Sequence, residues 1–105
     1  MKKYDAVFIL DEHLVEDHGN LFAEELSNFL KSLGAEIETV KNMGHRQFTY
    51  EIKKRKAGIY WNLIFSLNPA KIADIKDKYR LDERIIRYRI FDYISPGKNT
   101  IVQDI

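Results

Sequence analysis

Gly44-His45-Arg46-Gln47-Phe48-Thr49-Tyr50-Glu51-Ile52-Lys53-Lys54-Arg55-Lys56-Ala57-Gly58-Ile59-Tyr60 is the stretch whose reading decides the fold. An alternating strand pattern runs from Arg46 into the densest cationic run, Lys53 to Lys56, and then turns at Ala57-Gly58 into a second apolar strand. This predicts a β-hairpin with a positively charged tip. Cations carried on paired strands are held rigidly, and the commonest surface they suit is a phosphate backbone. The run by itself reads better as a solvated turn, since runs of lysine usually are, so its surroundings have to decide.

Those surroundings amount to one compact domain: 105 residues, 45% of them hydrophobic, suffice for a single modest core. The absence of cysteine excludes a disulfide framework, a thiolate zinc site and a cysteine nucleophile. Met1-Lys2-Lys3-Tyr4-Asp5 leads into a short mixed segment, so neither a signal peptide nor a membrane span is expected, and a soluble cytoplasmic protein fits. The net charge of only +1 hides a strong segregation. Asp11 to Glu38 holds eight acids against the single base Lys31, whereas Lys41 to Gly58 holds six bases against Glu51, and Lys71 to Arg89 seven bases against four acids. Local patches of this kind, rather than the total, set what approaches which side.

Upstream of the hairpin, Tyr4 to Leu10 reads as a strand apolar on both faces, hence a central one. Phe22, Leu26, Phe29, Leu30 and Leu33 fall on one stripe of a helix over about 16–33, with Gly34 placed to cap it. A strand over about 35–52 is expected to bend near Asn42-Met43-Gly44. Downstream, Ile59 to Leu67 is dense in strand formers. Asn68-Pro69 opens a second helix with an N-cap and a proline at its first position, and Ile72, Ile75, Lys76 and Tyr79 continue at helical spacing. A last strand spans 84–94 and ends at Ser95-Pro96-Gly97. The order β-α-β-β-α-β predicts an α+β, ferredoxin-like domain over 1–94, with a four-stranded antiparallel sheet and both helices on one face, followed by a short polar tail over 95–105.

Gly44-x-Arg46-x-Phe48-x-Tyr50-x-Ile52-x-Lys54, followed by Gly58-x-Tyr60, resembles the signature hairpin of the bacterial small-subunit ribosomal protein S-six family. Met1 to Leu10 resembles that family's first strand, Leu33-Gly34-Ala35 its helix-to-strand junction, and Tyr79 to Arg87 the end of its second helix and the start of strand four. The likeness covers about residues 2–93. The chain departs from the family pattern at Glu51, where proline often stands, and at Phe48, where an aliphatic residue is usual. The stretch 11–21 shows little family character, and the tail from Ser95 none. The resemblance implies a non-catalytic protein of the cytoplasmic ribosome. It also implies binding to the central domain of small-subunit rRNA together with ribosomal protein S-eighteen, supporting subunit assembly and translation, and no cofactor.

Residue by residue, Arg46 and Tyr50 share strand parity with Phe48 and Ile52. A guanidinium can fork onto phosphate and a tyrosine ring can stack on a base, although the same face could equally be core. Lys53, Lys54 and Lys56 at the tip, with Arg55 among them, would position a phosphate backbone without reading sequence. If Tyr88 and Ile90 face the helices, then Arg87 and Arg89 face the open side; Arg80 and Arg84 extend that patch, and Lys2 joins it. If Trp61, Leu63 and Phe65 face the core, then Tyr60, Asn62 and Ile64 form a surface for a protein partner. Glu24 and Glu25 would point helix one away from RNA.

Three other readings share this topology. A small acyl-phosphate hydrolase would need an anion-cradling loop with an arginine after strand one, where this chain has the acidic Asp11 to Asp17. His13, His18 and His45 are too scattered to suggest a metal site. A dimeric small-molecule sensor would pair sheets across a symmetric interface, whereas a ribosomal component is expected to be a monomer off the ribosome. A generic RNA-recognition module would need an aromatic-rich third-strand motif that Ala57 to Asn62 does not supply.

Overall fold

The computed structural model describes residues 1–93; Ile94 and the expected tail over 95–105 lie outside the described residues. The chain forms β1 (Lys2–Leu10), α1 (Asn20–Ser32), β2 (Glu36–Ile52), β3 (Arg55–Leu67), α2 (Ile72–Tyr79) and β4 (Ile85–Asp92). The sheet order is β2-β3-β1-β4, with every pair antiparallel. This is the ferredoxin-like plan that the element order predicts, with β1 central.

Strand alternation decides the two faces. Tyr4, Ala6, Phe8 and Leu10 of β1 point the same way as Ile59, Trp61, Leu63, Phe65 and Leu67 of β3, and all are buried with Phe22, Leu26 and Leu30 of α1 and Ile75 and Tyr79 of α2. Both helices therefore cover one face. On β4, Ile85 belongs to the buried core, and Tyr88, whose ring stacks on Phe8 at 5.4 Å, and Ile90 pack against it.

Helix α1 begins later than its stripe suggests. Asp17 and His18 take left-handed backbone angles in a one-turn 3₁₀ segment, Asp17–Gly19, so the helix proper starts at Asn20. Its other end closes as expected, with the Ala35 N–H donating to Leu30 O and the Gly34 N–H to Lys31 O. Asn68 caps the second helical segment, its Oδ1 accepting from the Ala70 N–H at 3.0 Å.

The hairpin departs from expectation in one respect. The chain reverses at Lys53-Lys54, both at positive φ (51° and 64°), and Ile52 pairs with Arg55 across this two-residue turn. Arg55, Lys56, Ala57 and Gly58 already belong to β3. Gly58 is thus no turn residue: a Cβ there would stand 2.7 Å from Ile9 Cγ2 and 3.0 Å from both Leu10 O and Phe48 Cζ. It is glycine because two strands and an aromatic ring crowd it. The bend expected near Gly44 is present, with φ +93° and a register shift between Asn42 and Gly44.

Candidate nucleic-acid interface

The open face of the sheet carries the residues of opposite parity. Arg87 and Arg89 sit across from Ile9 and Val7 of β1, so both arginines lie on the helix-free side, as the inward Tyr88 and Ile90 require. Ile9 is fully buried there, while Arg89 is exposed. On the other flank Arg46 pairs with Gly58, and its guanidinium lies 5.8 Å from the centre of the Tyr60 ring. Phe48 meets Tyr60 edge-on at 6.3 Å. Phe48 is therefore an open-face residue rather than core.

Past Gln47 the register slips: Gln47 pairs with Ala57 but Ile52 with Arg55, so β2 carries extra residues and the arm curls. Tyr50 stands on this curl 81% exposed. The curl and Arg87 enclose a groove lined by Gln47, Phe48, Tyr50, Glu51, Tyr60 and Arg87. At the arm's end, Lys53, Arg80 and Arg87 border a second depression. Lys54 and Lys56 are exposed, Lys56 on the parity of Gly58 and Tyr60. Among the described residues, none of Arg46, Lys53, Lys54, Lys56, Arg80, Arg87 and Arg89 is held in an ion pair.

Other expected site residues lie elsewhere. Lys2 has the parity of Tyr4 and so faces the helix side, at the end of β1 remote from the arm, where it pairs with Asp92 at 3.1 Å. Arg84 precedes β4 and turns towards α1: its Nη1 donates to Glu25 at 2.9 Å, its Nη2 to Asp82 at 2.6 Å, and its guanidinium lies over Phe22. These carboxylates raise the already high pKa of Arg84, Asp82 contributing most, and Arg84 in turn holds Glu25 and Asp82 below the usual carboxylate range. Glu25 is exposed, as expected of an outward charge, but it is also the anchor of Arg84.

Arg55 is likewise engaged, its Nε donating to Asp11, a carboxylate only 3% exposed. Burial pushes the Asp11 pKa up, but the Arg55 hydrogen bond and the His13 N–H outweigh it and leave the group lowered. The β1–α1 loop docks further through Trp61 Nε1, which donates to His18 O at 3.0 Å. His13 and His45 both approach Glu12, yet among the described residues no group of three or more His, Asp or Glu is placed to hold a metal.

Tyr60, Asn62 and Ile64 have the expected outward parity but are half-buried. Tyr60 lies beside Arg46 and Phe48, and the Asn62 amide donates to Asp5 and to Ala6 O. Phe91, opposite Asp5 and on the parity of Arg87 and Arg89, joins Val7 and Ile64 on this face. The parity argument that placed the two arginines extends to Phe91, whereas Glu51 as a groove residue depends on the slip and has no sequence signal.

A ferredoxin-like domain whose open face and arm carry the cations is the class that fold and site define. A ribosomal protein S6 family model matches residues 3–92. The chain is 34% identical over 105 residues to the small ribosomal subunit protein bS6 of Helicobacter hepaticus, spanning all of this chain and 77% of that protein. It is 39% identical over 93 residues to bS6 of Campylobacter jejuni, spanning 89% of this chain and 74% of that protein. The fold matches the 30S ribosomal protein S6 of Thermotoga maritima with a TM-score of 0.82 at 27% identity, over 88% of this chain and 87% of that one. The chain belongs to the ribosomal protein S6 family. It is a structural component of the small subunit of the cytoplasmic ribosome, not an enzyme, and the hydrolase and sensor readings fall away.

Proposed function

We propose that the chain binds the central domain of small-subunit rRNA together with ribosomal protein S-eighteen, and that the arm and the β4 side of the open face meet the RNA. One observation carries this orientation. Arg46, Arg87 and Arg89 lie on the open face, with Lys53, Lys54 and the bare ring of Tyr50 on the adjoining arm, and none of these cations has an ion-pair partner among the described residues, while Lys2 and Arg84 are matched to carboxylates elsewhere. Cations already neutralised by protein add little to phosphate binding; unpaired ones release counterions when they bind. Phosphate contacts from Lys53, Lys54, Lys56, Arg80 and Arg89 fix position, and Tyr50 and Arg46 supply stacking and forked hydrogen bonds. Val7, Ile64 and Phe91, together with Tyr60 and Asn62, offer the protein partner a half-covered apolar strip.

The test is a titration at controlled salt onto a central-domain rRNA fragment, with and without S-eighteen, against an unrelated RNA of equal length. Selective binding that tightens with the partner supports the reading. Indifference to both RNA identity and partner overturns it.

A further inference from the structure

We propose that the groove between the curled arm and Arg87 seats one unpaired guanine, stacked on Tyr50 and read by Glu51. This rests on the RNA-binding reading above and names what the site recognises.

The register slip after Gln47 is the starting point. In a regular strand Tyr50 and Glu51 would point to opposite faces. With extra residues in β2 between Gln47 and Ile52, both line one groove with Phe48, Tyr60, Gln47 and Arg87. Tyr50 presents an uncovered ring, 81% exposed, and a base of any identity can stack on such a ring.

Glu51 supplies the discrimination. It is the only acid between Lys41 and Gly58, two and three residues from Lys53 and Lys54, yet it makes no ion pair or hydrogen bond among the described residues. A carboxylate there repels phosphate and is useful only where it meets donors. Two carboxylate oxygens match two adjacent N–H donors. On the Watson–Crick edges only guanine offers such a pair, N1–H beside the N2 amino group. Adenine and cytosine each set an amino group beside an acceptor, and uracil flanks its one N–H with carbonyls. That edge is free only when the guanine is unpaired. A guanidinium from a protein partner would satisfy the same carboxylate and ring. Arg87 in the groove wall, Arg46 beside Tyr60 and Lys53 in the adjoining depression disfavour a further cation but welcome a base that brings its own phosphate.

The experiment uses the full chain at low salt and three stem-loop RNAs identical except for one loop position: guanine, inosine (which lacks the N2 amino group) or adenine. The guanine loop is expected to bind about tenfold tighter than the adenine loop, with inosine between them. Glu51→Gln should erase this order while leaving the salt dependence unchanged, and Tyr50→Ala should weaken all three loops together. Binding without a guanine preference, or a preference that survives Glu51→Gln, overturns the proposal and leaves RNA binding standing. Failure to bind any of the three, while the central-domain fragment is still bound with S-eighteen present, overturns the proposal and leaves RNA binding standing. A Glu51→Gln effect on capture of S-eighteen, with the loop preference unchanged, would assign the groove to a protein guanidinium and overturn the guanine reading.

Discussion

Arg55, the first residue of β3, reaches back to Asp11, the residue that follows β1, and its guanidinium Nε donates to a carboxylate that solvent scarcely touches. The contact joins the base of the cationic arm to the end of the central strand. It also withdraws one cation from the tip and uses it to aim the others.

Arg55→Ala should therefore loosen the arm and lower stability by about 2 kcal/mol at neutral pH, since it strips a buried carboxylate of a charged hydrogen bond. The Asp11 pKa is lowered in the folded chain, so its contribution is complete above the unfolded value of about 4 and fades as pH falls through the folded one. Urea unfolding of wild type and variant should differ clearly at neutral pH and converge in acid. Curves that stay equally separated at both would rule out the ion pair as the cause.

Arg84 and Arg87 lie close in sequence and should behave oppositely. Arg84→Ala breaks the bridge to Glu25 and Asp82, so thermal stability should fall by about 1 kcal/mol, a value reduced for partial exposure, with RNA affinity nearly unchanged. Arg87→Glu should weaken RNA binding tenfold or more at constant stability, because it reverses an unpaired charge. Glu24→Lys is the appropriate helix control; Glu25→Lys would disturb Arg84 as well. Equal effects of Arg87→Glu and Glu24→Lys on affinity would refute the proposed orientation.

The turn holds two lysines in left-handed geometry, where asparagine and glycine are preferred. Each costs about 1 kcal/mol relative to a residue suited to it. The pair Lys53→Asn and Lys54→Gly should raise the denaturation midpoint while lowering RNA affinity and reducing the salt slope by about 2. A gain in stability with no change in slope would place both lysines outside the interface.

Gly58→Ala tests the packing under the arm. The added methyl would press on Ile9, the Leu10 carbonyl and Phe48, and overpacking of this kind costs about 1–3 kcal/mol. Because Phe48 shares the groove with Tyr50, RNA binding should drop as well, although no cation has been touched.

The architecture was legible because the signals behind it are local. The helix stripe, the Asn68-Pro69 start and the alternation of β3 depend on neighbours in sequence, and the inward Tyr88 and Ile90 dictated the outward Arg87 and Arg89. Lys2 lies on the helix side beside Asp92, a position that its parity with Tyr4 made readable. The fate of Arg84 was not readable, since Glu25 lies 59 positions away and meets it only after α1 has packed. Gly58 misled for a physical reason: a glycine required by crowding looks the same in sequence as one required by a turn.

β2 is an edge strand of 17 residues, a length that ordinarily invites another chain to add on. Its pairing with β3 slips between Ile37 and Thr39, between Asn42 and Gly44, and again between Gln47 and Ile52. Each slip puts the outward N–H and C=O groups out of step with a straight incoming strand, and the last swings the arm out of the plane. The same irregularity that shapes the groove therefore makes the unassembled chain a poor seed for cross-β stacking, so solubility and recognition are served by one distortion of the backbone.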